Sequence, residues 1–163
     1  MMVSRALPTI FAAPRLRLFA SGSLALGGLI MMGMGIYFGF LRPSFLPEDL
    51  RFMGASLAQI QSAVPGLLPW LARVFGVLGG YMFATGLLTI YVAATGFRAA
   101  RPGATAIVVV SGLASIAWMA ITNFLIGSDF KWLLLLFTLP WVVALMAGVL
   151  NGSPLTSRGN RQS

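Results

Sequence analysis

Few side chains in this sequence could carry out acid–base or metal chemistry, and two of them are adjacent. Glu48 and Asp49 lie in the stretch FLPEDLRFMG, residues 45–54, and Asp129 is the only other acidic residue. The chain contains no Cys and no His. It therefore lacks the ligands of common zinc sites and iron–sulfur clusters, and the imidazole that most often holds haem or acts as a general base. We expect no metal, no cofactor and no enzymatic activity.

The acidic pair has two interpretations. In a helix's first turn, where Pro47 would precede the two acids, proline is tolerated and negative charge is favoured. On this interpretation Glu48 and Asp49 stabilise a helix start and pair with Arg51 or Arg73. The alternative is a ligand-binding, metal-binding or catalytic role. It is weaker, because adjacent helical residues project about 100° apart, whereas an acid–base pair must flank its substrate.

Met31, Met32 and Met34 are a second group with possible chemistry. Thioethers are soft ligands that suit copper(I). Methionine also fills gaps in apolar cores, and no Cys or His supports a metal site here. Packing is the favoured interpretation.

The elements that must position these residues are long apolar runs. Hydrophobic residues make up 58% of the chain and charged residues 9%, where a soluble domain carries about 25% charge. Each run is long enough to cross a bilayer as a helix, and none shows the alternation of barrel strands. The predicted spans are residues 18–41, 70–97, 104–126 and 132–150. The predicted fold is all-α: a polytopic membrane protein forming one domain over 1–163, with a four-transmembrane-helix bundle.

The connection between the first two spans, residues 42–68, is long for a helix–helix link. Its start at Pro47 predicts one short helix, and Ser56 followed by Gln59 is a capping-box pattern that predicts another. We expect two short helices on the membrane surface or over the bundle.

Basic residues indicate the orientation of the predicted spans. Seven lie on the side of the membrane that carries the termini, and four lie on the opposite side. That opposite side also carries all three acidic residues. The seven are Arg5, Arg15, Arg17, Arg98, Arg101, Arg158 and Arg161, and the four are Arg42, Arg51, Arg73 and Lys131. Both termini, including the tail 151–163, are predicted to be cytoplasmic. The net charge of +8 is spread singly around apolar runs, so we expect no nucleic-acid partner.

Small residues recur at four-residue spacing in two spans. Gly35 and Gly39 do so in the first, and Gly76, Gly80 and Ala84 in the second, with Gly79 and Gly86 beside that stripe. This spacing lets helices approach closely. It predicts packing within the bundle or, alternatively, association with a second copy or another subunit.

Two polar residues at the predicted outer end invite specific expectations. Arg73 lies about one turn inside the second span, where it can snorkel and pair with Asp129, Glu48 or Asp49. The alternative for Arg73 is contact with an anion or lipid headgroup. Asn123 is expected to form a hydrogen bond across helices.

The strings LPEDLRFMG and PGLLPWLARVFGVLGGYMFATGLL, within about residues 40–90, carry a resemblance. The chain resembles small four-span bacterial membrane proteins with an LPED-x2-F-x-G outer loop and a Gly-Gly pair in the second span. Members of that group carry a His-Asp-Arg triplet before the Gly-Gly pair, and here only Arg73 of that triplet is present. The resemblance implies the four-span topology and a bacterial plasma (inner) membrane. It carries no known function over to this chain.

Two functions from different classes remain. The leading one is a non-catalytic accessory or assembly subunit of a larger membrane complex, or a homo-oligomer, because the spans lack catalytic groups and carry glycine-rich faces. The alternative is a small transporter or lipid-binding membrane protein. The first span lacks the ionisable residue that proton-coupled transporters use, so this alternative is second.

Overall fold

The computed structural model of the chain describes residues 9–150, so Arg5 and the tail 151–163 lie outside the described residues. Within 9–150 there are helices and no strands. The α-helices are α1 Thr9–Ile36, α2 Pro47–Met53, α3 Leu57–Ala63, α4 Leu67–Val92, α5 Ala104–Gly112, α6 Trp118–Leu125, α7 Lys131–Leu136 and α8 Leu139–Leu150. Wider π-helical turns follow α1 at Tyr37–Leu41, follow α4 at Ala93–Phe97 and join α5 to α6 at Leu113–Ala117.

Four of the resulting helical segments are long and apolar enough to cross a membrane. They are Arg15–Leu41, Leu67–Phe97, Ala104–Leu125 and Lys131–Gly148. Their bounds lie close to the predicted spans, because the length of an uncharged apolar run limits the helix it can form. The all-helical class and the four apolar helices are therefore confirmed.

The first span is the centre of the bundle. α1 packs most extensively on α4 and next on α8. The third span, formed by α5 and α6, packs mainly on α7 and α8 instead. The buried core lies towards the termini and contains Ala20, Leu24, Ala93, Phe97, Val108, Ala144 and Ala147. Large apolar side chains cover much of the outer surface, which suits contact with hydrocarbon.

α1 and α4 meet along a glycine seam made of Gly28, Gly35, Gly79 and Gly86. A Cβ at Gly35 would lie 2.6 Å from the amide nitrogen of Phe83, and one at Gly79 would lie 2.6 Å from that of Gly39. A Cβ at Gly86 would lie 2.8 Å from the nitrogen of Met32. At Gly35 and Gly79 the nearest atoms are all backbone, whereas at Gly28 and Gly86 the side chains of Ile90 and Met32 also reach the seam. Small residues thus let the two backbones approach closely.

The predicted stripe on α4 lies outside this seam. No atom lies within 4 Å of a Cβ built on Gly76 or Gly80, and Ala84 is exposed. The expectation that this stripe packs inside the bundle therefore differs from the structure, where Gly79 and Gly86 make the contact. Gly39 reaches the seam through its backbone only, because its own Cβ position has no neighbour within 4 Å.

The two short helices expected between the first two spans are present as α2 and α3. α2 ends at Gly54, whose φ of 65° is the left-handed conformation that glycine adopts most readily at a helix end. The capping box of α3 is formed: Gln59 N–H donates to Ser56 Oγ at 3.3 Å, and Ser56 N–H donates to Gln59 Oε1 at 2.8 Å.

The fourth span is interrupted between α7 and α8, at residues 137–138. Pro140 follows this interruption as the second residue of α8, where its missing N–H is tolerated. The next residue, Trp141, donates from Nε1 to the carbonyl of Val108 at 2.9 Å, and its ring occupies the space that a side chain at Gly112 would need. Trp141 thus joins α8 to the third span.

Candidate functional site

A cavity of about 380 Å³ lies at the end of the bundle that carries α2, between α1, α6 and α7. We call it the Glu48 cavity. Its walls are mostly apolar and include Met34, Phe38, Met119, Leu133, Leu134 and Phe137. Its polar lining residues are Arg42, Glu48, Asp49, Asn123 and Ser128, with Tyr37 beside them. An apolar cavity with a few convergent polar groups is the usual form of a small-molecule site.

Glu48 is the most deeply buried charged side chain among the described residues, with 2% of its surface exposed. Ser128 Oγ donates a hydrogen bond to Glu48 Oε1 at 3.1 Å, and the backbone N–H of Phe130 donates to Ser128 Oγ at 3.2 Å. No described protein group donates to Glu48 Oε2, although that atom is buried. A buried polar atom without a hydrogen bond costs about 1–3 kcal/mol of stability.

Asp49, next to Glu48, accepts two hydrogen bonds at one carboxylate oxygen. Arg42 Nη2 donates to its Oδ2 at 2.9 Å, and the backbone N–H of Leu46 donates to the same atom at 2.8 Å. The guanidinium of Arg42 also lies 3.8 Å from the centre of the Phe75 ring. Because the side chains of Arg42 and Asp49 are 9% and 20% exposed, this is a largely buried pair in which the two charges compensate each other.

The π-helical turn after α1 places these groups. The N–H of Arg42 closes it by donating to the carbonyl of Tyr37 at 2.8 Å, and Tyr37 and Phe38 both line the cavity. Such wider turns occur often at functional sites because they redirect side chains out of the regular helical register. Here the turn brings Arg42 to α2.

A second ion pair ties α2 to the connection between the third and fourth spans. Arg51 Nη2 lies 2.7 Å from Asp129 Oδ1, and both side chains are 57% exposed. Exposed pairs of this kind contribute at most about 1 kcal/mol. The pair does not line the Glu48 cavity.

The structure separates the predicted ion-pair residues. Asp49 pairs with Arg42 rather than with Arg51 or Arg73, and Glu48 has no basic partner within 4.0 Å in the described chain. Arg73 is exposed, and no carboxylate of the described residues lies within 4.0 Å of it. The structure thus differs from the expected pairing of Arg73.

Asn123 also differs from expectation. Its Nδ2 donates to the carbonyl of Met119 at 2.9 Å, one turn earlier on the same helix, rather than to another helix. It nevertheless lines the Glu48 cavity. An asparagine that bonds its own backbone has less need of a partner helix.

Sequence reasoning missed Arg42 and Ser128 as members of the site. Arg42 had a weak signal, because it is the first charge after the uncharged first span. Ser128 had none beyond its position next to Asp129, since its contact with Glu48 joins residues 80 positions apart.

The potential metal ligands do not form one cluster among the described residues. Among the described residues no three His, Cys, Asp or Glu side chains form a group that could hold a metal ion. The methionines are divided, since Met31 is buried in the bundle whereas Met34 lines the cavity. In the described part of the chain, the hydrogen bond to the Glu48 carboxylate comes from Ser128, whose Oγ accepts from the backbone N–H of Phe130.

A second crevice, of about 310 Å³, lies between α1, α4 and α5. Its hydroxyl groups bond their own helices: Thr85 donates to Tyr81 O at 2.8 Å, Thr89 to Thr85 O at 2.8 Å, and Ser115 to Ser111 O at 2.6 Å. It is therefore an apolar crevice in which these three hydroxyl groups already donate hydrogen bonds to backbone carbonyls. The Glu48 cavity differs because it holds a buried acceptor without a donor.

The fold and site define an all-helical protein with four helices apolar enough to span a membrane and a polar-tipped cavity at one end. No protein-family model matches the chain, and neither the curated proteins nor the solved structures contain a match.

Proposed function

We propose that this chain is a non-catalytic integral membrane protein that binds a lipid or another amphipathic small molecule in the Glu48 cavity. The observation that carries this proposal is Glu48, whose side chain lines an apolar cavity of about 380 Å³ and whose buried Oε2 has no donor among the described residues. Native proteins contain few buried polar atoms without a hydrogen bond, and functional sites are where such atoms are expected. The cavity thereby moves lipid binding ahead of the subunit role favoured by the sequence.

The proposed setting is a bacterial plasma membrane crossed four times, with both termini cytoplasmic. It is supported by the four apolar helices and by the greater number of basic residues beside the termini. On that topology the Glu48 cavity lies near the outer surface, where an amphipathic molecule can keep its polar head at the interface and its apolar part in the hydrocarbon.

The test is native mass spectrometry of the protein extracted in mild detergent, comparing the wild type with Met119→Trp and Met146→Trp. Met119 lines the cavity, whereas Met146 is exposed on α8 and does not. We expect a bound molecule on the wild type and on Met146→Trp, and at least about a tenfold loss on Met119→Trp, equivalent to about 1.4 kcal/mol. Equal occupancy of the two variants would reject the cavity as the site.

We propose as a second candidate the subunit or homo-oligomer role, which one observation favours. The stripe of Gly76, Gly80 and Ala84 on α4 faces away from the bundle, with 71% of Tyr81 exposed beside it. A face of small residues suits a close helix–helix contact with another chain.

Native-gel migration of the variants Gly80→Leu and Gly33→Leu tests this second proposed function. Neither glycine has an atom within 4 Å of its Cβ position, so both substitutions fit the isolated chain. A partner on α4 predicts that Gly80→Leu alone shifts the protein to a smaller species. Migration of the wild type as a single chain with no other protein would overturn this second candidate.

A further inference from the structure

We propose that the molecule held in the Glu48 cavity carries a protonated primary or secondary amine, whose N–H group donates to Glu48 Oε2. This inference rests on the proposed function and adds the chemistry of the polar head. It follows from the charges and hydrogen bonds around the cavity.

The first step concerns the donors already present. Ser128 Oγ is directed to Glu48 Oε1, and the amide of Asn123 donates to the carbonyl of Met119. The guanidinium of Arg42 donates to Asp49 and to the carbonyl of Pro43, the latter at 3.0 Å. These bonds run to other acceptors, and no described protein group donates to Glu48 Oε2, so a donor from an occupant would complete its hydrogen bonding.

The second step concerns charge. Arg42 and Asp49 form a 2.9 Å ion pair, so their charges compensate each other, and Glu48 is the remaining acidic group of the cavity. A carboxylate in an apolar setting is strongly stabilised by a cation and strongly opposed to an anion. A charge-assisted hydrogen bond from an ammonium group is about twice as strong as one from a neutral donor.

The third step concerns the walls. Aromatic side chains line the cavity, among them Tyr37, Phe38 and Phe137. Aromatic rings attract cations, and apolar walls accommodate the hydrocarbon part of an amphiphile. A quaternary ammonium would satisfy the rings and the charge, but it has no N–H group for Glu48 Oε2. The site should therefore prefer amines that keep at least one N–H bond.

The test uses four probes with the same eight-carbon chain: octylammonium, octyltrimethylammonium, octanol and octanoate. Each is titrated calorimetrically into protein in dodecyl maltoside micelles, and the heat of titration into empty micelles is subtracted. We expect octylammonium to bind at least about tenfold more tightly than octanol, with octyltrimethylammonium intermediate and octanoate weakest, a difference equivalent to about 1.4 kcal/mol per decade.

Two variants assign the effect to Glu48. Glu48→Gln removes the charge with little change of shape, and Asp129→Asn removes an exposed carboxylate outside the cavity. The preference for octylammonium should disappear in Glu48→Gln and persist in Asp129→Asn. An unchanged preference in Glu48→Gln would overturn the inference, and the head-group comparison in the wild type needs no variant to fold.

The outcomes distinguish this inference from the proposed function. If octanol or octanoate binds as tightly as octylammonium, the inferred preference for an amine is overturned. The cavity then remains a site for amphiphiles in general. No probe binding above the micelle baseline, together with no co-purified molecule, would overturn both. The mass of any co-purified molecule then separates the two sources of an amine, a phospholipid with an ethanolamine head and a free alkylamine.

Discussion

Two neighbouring regions of the first span differ in packing: one packs closely on α4, and the other borders the Glu48 cavity. Along the glycine seam, α1 and α4 approach backbone to backbone at Gly35 and Gly79. Beyond Gly35 the π-helical turn begins, and α1 borders the Glu48 cavity instead. The first span thus provides both a close helix–helix contact and one wall of the Glu48 cavity. The difference shows that a closely packed region and a cavity can adjoin along one span.

The largest expected effect breaks the seam. We expect Gly79→Leu to lower the free energy of unfolding by about 3 kcal/mol or more, because its side chain would meet the backbone of Gly35 and Gly39, which cannot move aside cheaply. Gly80→Leu, one position further on the open face, is the matched control and should cost less than about 1 kcal/mol. Reversible unfolding in mixed detergent and dodecyl sulfate measures both, and equal losses would contradict the seam.

The next effect concerns the wall of the cavity. Arg42→Met leaves Asp49 without its cation and should lower the free energy of unfolding by about 2 kcal/mol, because the pair is largely buried. Arg51→Met breaks an exposed pair of the same loop and should cost at most about 1 kcal/mol. The same unfolding assay compares them. A greater loss for Arg51→Met would show that the exposed ion pair contributes more to the free energy of unfolding than the buried one.

The smallest effect concerns the polar tip of the cavity. Glu48→Met should leave the free energy of unfolding within about 1 kcal/mol of the wild type, although it replaces a buried charged residue. The lost hydrogen bond from Ser128 is offset because the carboxylate oxygen without a donor is removed as well. Measured without added ligand, a loss above about 2 kcal/mol would assign Glu48 a structural role instead.

The sequence contains enough information to predict the four apolar helices and both short loop helices, because run length and capping residues act locally. The glycine seam needed a different pattern. Gly28 and Gly35, like Gly79 and Gly86, are separated by seven residues, which is two helical turns and keeps them on one face. The four-residue spacing of Gly76 and Gly80 is equally suited to packing but lies on another face.

The members of the candidate site were harder to predict, for a physical reason. Glu48 and Asp49 are adjacent, yet one is buried beside Ser128 and the other pairs with Arg42. Their partners are decided by how α2 lies over the bundle and by the wider turn after α1. Both depend on contacts between distant parts of the chain, which charge and spacing alone do not encode.

The interruption at residues 137–138 has a consequence for how a molecule would enter. The α1 side of the Glu48 cavity continues into the glycine seam, whereas another side belongs to α7, a six-residue helix that ends at this interruption. Displacing a short helix disturbs fewer hydrogen bonds and less packing than displacing a long one. On the proposed function, we therefore expect a molecule to enter the cavity past α7, while Trp141 holds the remainder of the fourth span against the third.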